Sequence, residues 1–201
     1  MDNQELEVKY YIAGLEALES RLQAMGAHLL QPRTHEVNLR FDRDGELALS
    51  GRVLRLRRDT AARLTYKGPS QSQEGVRQRQ EIEFTVGDFD AARDFLEALG
   101  YQVSMIYEKY RATYVLDGVH VTLDELPYGN FAEIEGPDPA SIHAVNQRLG
   151  LDWEARLPES YTALFDRLRV TLNLPFRDLV FDNFQDLEIS PSSLDARPAD
   201  G

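Results

Sequence analysis

The feature that most constrains the fold is a strict alternation of charged and apolar residues near the start of the chain. In Glu5-Leu6-Glu7-Val8-Lys9 the charged side chains fall on one face of an extended strand, and the leucine and valine fall on the other. Residues two apart on a strand lie roughly 6.5 Å from each other on the same face. Two carboxylates at that spacing repel each other, and a divalent cation would relieve the repulsion. Taken alone, however, the row is more typical of a solvent-facing strand than of a metal site.

The same alternation recurs in most of the other predicted strands, and the choice of charges is selective. An antiparallel sheet that is merely open to water mixes Thr, Ser, Gln, Lys and Glu on its wet face. Here Glu-x-Glu recurs, as do pairs of basic residues at the same spacing. The pattern therefore predicts an α+β fold in which an antiparallel sheet closes into a barrel, with its charged face around a polar tunnel and its apolar face under helices. The charged rows are Arg55 and Arg57; Arg63, Thr65 and Lys67; Arg79, Glu81 and Glu83; Lys109 and Arg111; His120, Thr122 and Asp124; and Glu133 and Glu135.

The composition narrows the classes of function. The chain has 201 residues and no cysteine, which excludes disulfides, thiolate metal sites and cysteine nucleophiles. Its formal net charge of −12 disfavours general nucleic-acid binding, because phosphate contacts dominate that affinity. No apolar run reaches the length of a membrane span and no signal peptide precedes the first strand, so we expect a soluble, cytoplasmic protein without a membrane partner. The sequence leaves the oligomeric state open, a dimer included.

The order of predicted elements suggests two similar halves, each with a strand, a helix and further strands. Helical spacing predicts helices after the first strand, after residue 88, and over residues 140–149 and 158–172. We predict one domain over residues 1–175 and a C-terminal extension over residues 176–201. Apolar residues between Phe176 and Phe184 predict a docked helix or partner segment. The Ser-, Pro- and Asp-rich stretch from Ser190 to Gly201 predicts a disordered tail.

A tunnel lined in this way has a definite chemical requirement. Its basic residues suit a polyanion, and its carboxylates suit hard divalent cations such as Mg²⁺ or Mn²⁺. A metal-complexed polyphosphate needs both kinds of residue at once. The competing interpretation is a network of structural ion pairs, which we disfavour because so many charges on one face are costly to desolvate without a ligand.

The motifs also resemble a known family, the CYTH superfamily or triphosphate tunnel metalloenzymes, over roughly residues 3–170. The family includes class IV adenylate cyclases, thiamine triphosphatases, inorganic triphosphatases and RNA triphosphatases. The stretch over residues 123–136 and the sequence Glu159-Ser160-Tyr161 look most like its bacterial class IV cyclase-like branch. The resemblance implies a closed antiparallel barrel of about eight strands, in agreement with the tunnel inferred above. It is carried by Glu5-x-Glu7-x-Lys9, Arg55-x-Arg57, Lys67, Glu81-x-Glu83, Lys109-x-Arg111, Asp124 and Glu133-x-Glu135.

The resemblance also implies a role for each of these residues. One or two metal ions, Mg²⁺ or Mn²⁺, would be held by Glu5, Glu7, Asp124, Glu133 and Glu135. The triphosphate would be bound, and its reaction catalysed, by Lys9, Arg55, Arg57, Lys67, Lys109 and Arg111, with Arg79 as a further binding residue. Glu81 and Glu83 would support the metal or orient the basic groups. Tyr161 is expected either to close one tunnel end or to serve in packing.

Three functions remain open from the sequence. We favour metal-dependent hydrolysis of a small triphosphate, inorganic tripolyphosphate or an organic one, because no base-reading signature is visible around His35, Asn38 or Tyr128. The alternative is a class IV adenylate cyclase that converts ATP to cyclic AMP and pyrophosphate in the same tunnel. A non-catalytic polyphosphate-binding module is the second alternative, and the intact acidic set argues against it. In each case the expected partner is a small-molecule triphosphate.

Overall fold

The computed structural model describes residues 4–201 and contains a closed antiparallel β-barrel with helices on its outside. Within that range the strands follow the order β1-β9-β8-β7-β2-β3-β4-β6, and pairing of β1 with β6 closes the cylinder. The short β5 extends the sheet beside β6. The strands are β1 (Gln4–Ile12), β2 (His28–Asp42), β3 (Val53–Arg58), β4 (Ala62–Lys67), β5 (Gln71–Gln73), β6 (Val76–Val86), β7 (Gln102–Leu116), β8 (Val119–Leu126) and β9 (Gly129–Glu135).

The predicted fold class is confirmed, and the four longer helices fall where apolar periodicity placed them, whereas the short helix at Glu46–Leu49 was not predicted. They are α1 (Leu15–Ala24), the short α2 (Glu46–Leu49), α3 (Phe89–Ala98), α4 (Pro139–Leu149) and α5 (Tyr161–Leu172), with 3₁₀ turns at Trp153–Ala155, Phe181–Phe184 and Pro191–Leu194. Helix α5 begins three residues later than expected from Pro158, because the Ser160 side chain accepts a hydrogen bond from the Ala163 N–H and caps the helix. No helix within residues 4–201 is long and apolar enough to cross a membrane.

The two halves predicted from the sequence are visible in the strand order. In this order β1, β2, β3 and β4 correspond to β6, β7, β8 and β9. When each strand is exchanged with its counterpart, the same closed order results, read in the opposite direction. Each half supplies a first strand, followed by a helix and a three-stranded meander. Because β1 and β6 pair with each other, these first strands lie side by side in the wall of the barrel.

The apolar core lies between the outer face of the barrel and the helices. Strands β1, β8 and β9 pack their outward residues against α1 and α4, with Tyr10, Leu18 and Ile134 fully buried. Helix α3 covers β2 and β3 around Leu56. Helix α5 and the C-terminal segment cover a third cluster around Phe131. Burying large apolar side chains on the outside leaves the inner face of each strand to the charged rows.

The C-terminal segment differs from the sequence prediction. The stretch from Ser190 to Gly201 was expected to be a disordered tail, whereas the structure packs it against the barrel. Leu194 is fully buried, and the Ala199 N–H donates to the Tyr11 carbonyl of β1 at 3.0 Å. The upstream part docks as predicted, with Leu179 forming a parallel bridge to Tyr107 on β7. The division of the chain into a domain over residues 1–175 and an extension over residues 176–201 remains a prediction. Residues 1–3 of that domain lie outside the described range.

Candidate active site in the barrel lumen

The charged faces of the strands surround a cavity of about 770 Å³. Eleven of the chain's 22 lysines and arginines line it, together with nine of its 34 acidic residues. A chain with a net charge of −12 thus presents a cationic majority to this cavity, which favours an anionic ligand. All the site residues predicted from the sequence line the cavity except Asp124, whose side chain is fully buried against Arg111 and Lys109.

Glu5 joins three strands at the barrel closure. Its carboxylate accepts hydrogen bonds from Lys67 Nζ on β4 and from Arg79 Nε on β6, each at 2.7 Å. Burial alone would raise the pKa of Glu5, but the two cations outweigh it and hold that pKa well below its usual value. Lys67 also lies 3.2 Å from Glu81. The closure of the barrel therefore brings together predicted metal-binding, phosphate-binding and supporting residues.

Asp124 and Glu133 form a second ion-pair group on β8 and β9. Arg111 donates to both carboxylates. Lys109 Nζ lies 3.3 Å from Asp124, and Lys9 Nζ lies 3.1 Å from Glu133. Burial would raise the pKa of Glu133, but Lys9 and Arg111 bring it well below the ordinary value. Both carboxylates are therefore already engaged by protein donors.

An arginine cluster occupies another part of the wall. Glu83 lies 3.4 Å from Arg55 and 3.2 Å from Arg57, and it also accepts from the Thr65 hydroxyl at 2.8 Å. Arg63, opposite Arg57 in the register, lies 3.8 Å from Glu83 and pairs more closely with Asp59, at 2.7 Å. Planar guanidinium groups held in place in this way are preorganised for bidentate binding of phosphate oxygens.

The carboxylates on β1 and β9 have the properties that a divalent cation needs. Glu7 and Glu135 face each other across the two strands. Burial first, and then the charges of Glu5, Glu7 and other carboxylates, raise the pKa of Glu135 from 4.5 to about 7. Carboxyl groups that repel each other supply the oxygen donors that hard divalent ions prefer, so these residues fit such an ion. Within residues 4–201, no three acidic or histidine side chains are already arranged as a coordination shell.

Strand β2 contributes lumen residues that the sequence reasoning missed. Glu36 is almost completely buried and lies 3.6 Å from both Lys109 and Arg57. Burial opposes its ionisation, but the surrounding cations led by Lys109 lower its pKa to about 2. Asn38, on the same face, is fully buried, and its amide has no hydrogen-bond partner in the part of the chain that the structure describes. The alternation Glu36-x-Asn38-x-Arg40 was the available signal, but it lacks the repeated charge that identifies the other rows.

The first turn of α5 reaches the lumen from outside the barrel. Tyr161 lines the cavity and donates its hydroxyl hydrogen to Asp124 at 2.7 Å. The next residue, Thr162, accepts a hydrogen bond from Arg40 at 2.7 Å. His120 also lines the cavity, where it faces Glu135 in the register. The helix therefore adds side chains to the same interior surface as the strands.

The fold and the lumen define a class of protein, a closed antiparallel barrel whose interior carries converging cations and carboxylates. A family model for the CYTH domain matches residues 3–151, and the chain belongs to the CYTH family. The resemblance stated from the sequence is therefore confirmed. A comparison with curated proteins finds no match to this chain.

Solved structures show the same architecture. A proposed adenylate cyclase from Vibrio parahaemolyticus is 22% identical with a TM-score of 0.74, and the match covers 83% of this chain and 99% of that one. A protein from Pyrococcus horikoshii is 26% identical with a TM-score of 0.66, over 78% and 96% of the two chains. A proposed adenylyl cyclase from Hippeastrum, described as having a dominant triphosphatase activity, is 19% identical with a TM-score of 0.62, over 96% and 100%. At 22% and 19% identity the likeness shows the fold alone.

Proposed function

We propose that this chain is a divalent-metal-dependent enzyme that hydrolyses a small triphosphate inside the barrel. One observation carries the proposal: a single cavity is lined both by half of the chain's basic residues and by a set of mutually repelling carboxylates. The cations suit the phosphate chain, and the carboxylates suit the metal that such a chain binds. A simple polyanion-binding module would need only the cations.

The phosphate chain would be bound by basic residues from five strands. They are preorganised by carboxylates, as when Glu83 holds Arg55 and Arg57 or Glu5 holds Lys67. Phosphoryl transfer requires little covalent participation from the protein, so rate enhancement comes from positioning and from neutralising charge. We assign this role to Lys9, Arg55, Arg57, Lys67, Arg79, Lys109 and Arg111.

The metal, Mg²⁺ or Mn²⁺, would be held by carboxylates predicted from the sequence: Glu5, Glu7, Asp124, Glu133 and Glu135. When bound, such an ion neutralises phosphate charge and lowers the pKa of a coordinated water. We place most weight on Glu7 and Glu135, because their oxygens have fewer protein donors than those of Asp124. Glu81 and Glu83 would have supporting roles, Glu81 beside the metal and Glu83 among the arginines.

Hydrolysis and cyclisation use the same lumen and differ in which phosphorus is attacked. A hydrolase directs water to the terminal phosphorus, whereas a cyclase directs the ribose 3′-hydroxyl to the α-phosphorus. The name of the Vibrio parahaemolyticus neighbour keeps adenylate cyclase as the alternative, and the Hippeastrum neighbour's described activity supports hydrolysis. The charged residues that dominate the cavity lining suit either reaction, and we favour hydrolysis because no base-reading signature is visible in the sequence.

The deciding experiment is product analysis. The protein is incubated with tripolyphosphate, ATP or thiamine triphosphate, each with Mg²⁺, Mn²⁺ or excess chelator, and phosphate, pyrophosphate and cyclic AMP are resolved. We expect metal-dependent release of phosphate. Formation of cyclic AMP and pyrophosphate from ATP would show that the protein is a cyclase and not a hydrolase. Tight binding of a triphosphate without turnover would favour the binding module.

Matched variants test the residues. Arg57→Ala and Glu7→Gln should each lower kcat/KM by at least about 100-fold, an effect typical of removing a preorganised charge from an active site. Arg93→Ala and Glu97→Gln make the same changes in an exposed ion pair on α3 and should leave turnover unchanged. If Glu7→Gln and Glu135→Gln both keep full metal-dependent activity, the metal assignment is wrong.

A further inference from the structure

The ring of Tyr161 lies against two lysines of the barrel interior. Lys9 Nζ is 4.5 Å from the ring centroid, and Lys109 Nζ is 5.4 Å from it. Lys9 belongs to β1 and Lys109 to β7, and two strands separate them in the sheet. One side chain from a helix outside the barrel therefore contacts cations on well-separated parts of the wall.

Tyr161 is held in place through its hydroxyl, its main chain and its ring. Its hydroxyl donates to Asp124 at 2.7 Å, and its own main-chain carbonyl accepts from the Tyr128 hydroxyl at 2.8 Å. Its edge packs against Phe131, with ring centroids 5.1 Å apart and planes at 67°. These contacts leave the ring little freedom, so it is a fixed surface for the two ammonium groups.

Electrostatics explain why such a surface is useful. Lys9 and Lys109 carry like charges, which repel, and a lysine side chain is long and flexible. Carboxylates neutralise the pair, with Glu133 3.1 Å from Lys9 and Asp124 3.3 Å from Lys109. The negative face of an aromatic ring attracts both cations without covering their hydrogen-bond donors, and the attraction strengthens as water is excluded.

We propose that Tyr161 is a positioning residue, whose ring holds Lys9 and Lys109 ready to bind oxygens of the triphosphate. The inference rests on the proposed function, since it assigns these lysines to the substrate. Tyr161 acts through the lysines and needs no contact with the substrate. The lysines would bind the phosphate chain already in the ground state, so we expect loss of the ring face to raise KM and to lower kcat to a smaller extent.

The sharpest test changes the ring's electrostatics while keeping its shape. Tyr161 is replaced by phenylalanine and by its mono-, di- and trifluorinated analogues, because fluorine withdraws charge from the ring face. We expect phenylalanine to keep KM for tripolyphosphate within about threefold of wild type, and trifluorination to raise KM about tenfold, as expected for two weakened cation–π contacts. The kcat should change less than KM. Calorimetric titration of tripolyphosphate in chelator gives the same comparison without turnover.

Two controls separate positioning from packing. Phe184→Leu shrinks a ring of the same buried cluster that packs against Phe165 and Phe176 and makes no ring contact with Tyr161 within residues 4–201, so it should lower the melting temperature and leave KM unchanged. Tyr161→Leu should raise KM at least as much as trifluorination does. If KM and affinity for tripolyphosphate stay the same across the fluorinated series, or if Phe184→Leu raises KM as much as Tyr161→Leu does, the proposal is overturned. Wild-type protein that neither binds nor hydrolyses any triphosphate would refute the proposed function itself, before any variant is made.

Discussion

Glu135 gives the carboxylate cluster a measurable pH signature. Its pKa in the folded protein is raised from 4.5 to about 7, by burial and then by neighbouring carboxylates such as Glu5 and Glu7. Because the folded pKa lies above the unfolded one, the folded state binds more protons between these values. The stabilising contribution of the protonated group is therefore complete below pH 4.5 and is lost as the pH rises through about 7.

The size of the effect follows from that displacement. At about 1.4 kcal/mol per pKa unit, it would correspond to about 3 kcal/mol for a fully desolvated carboxyl group. The Glu135 side chain still contacts water, however, and solvent screens its neighbours. We therefore expect the free energy of unfolding to fall by about 1–2 kcal/mol between pH 4.5 and 7 because of this group.

Urea unfolding in chelator at pH 5 and pH 7.5 measures this contribution. Glu135→Gln should match wild type at the lower pH and exceed its stability by about 1–2 kcal/mol at the higher pH. Mn²⁺ at pH 7.5 should stabilise wild type more than the variant, because the ion binds the ionised carboxylates of the folded state. Glu97→Gln, an exposed substitution on α3, is the control. If the free energy of unfolding changes with pH in the same way for wild type and Glu135→Gln, the pKa of Glu135 is not raised in the folded protein and the reasoning is refuted.

Three further substitutions test the framework of the site. Arg111→Met leaves Asp124 buried with fewer cations, and should cost about 3 kcal/mol in urea unfolding at pH 7. Asp200→Ala removes the carboxylate that accepts from two main-chain N–H groups before α1, and should speed amide hydrogen exchange there, with a loss of about 1 kcal/mol. Gly129→Ala places a methyl group 2.8 Å from Tyr11 at a φ of +147°, and should lower the melting temperature by an amount equivalent to about 2 kcal/mol or more.

The sequence predicted which side chains share a face of each strand, but it did not predict which strands lie next to each other. An alternation of period two reports which side chains share a face, as for Glu5 and Glu7, and that was sufficient to infer a charged interior. It contains no information on which strands pair. The contact between Glu5 and Arg79, which depends on β1 meeting β6, therefore became visible only in the structure. Glu36 was missed for a related reason, because a single carboxylate followed by Asn38 lacks the repeated charge that identified the other rows.

The C-terminal segment exposes a different limit of sequence reasoning. Its Ser-, Pro- and Asp-rich composition is that of a chain too polar to form its own core. In the structure it needs no core of its own, because Leu194 enters a cluster built by α5 and the barrel. Its other contacts include main-chain hydrogen bonds that link Ala199 to Tyr11 and Asp152, and the Asp200 carboxylate that accepts from the N–H groups before α1. Composition does not show whether a segment can pack into a core formed by other elements, or whether its main chain can hydrogen-bond to them. It therefore predicted disorder.

Under the proposed function, the ion pairs within the lumen predict that metal and triphosphate bind cooperatively. In the free protein, Glu5 neutralises Lys67 and Arg79, so an incoming phosphate must compete with this carboxylate for both cations. A metal ion that binds the Glu5 carboxylate would release the two cations to the phosphate chain. Each ligand would thus lower the cost of binding the other, and linkage requires the effect to be reciprocal. The same ion pairs that stabilise the empty barrel would then select a metal-bound triphosphate over either component alone.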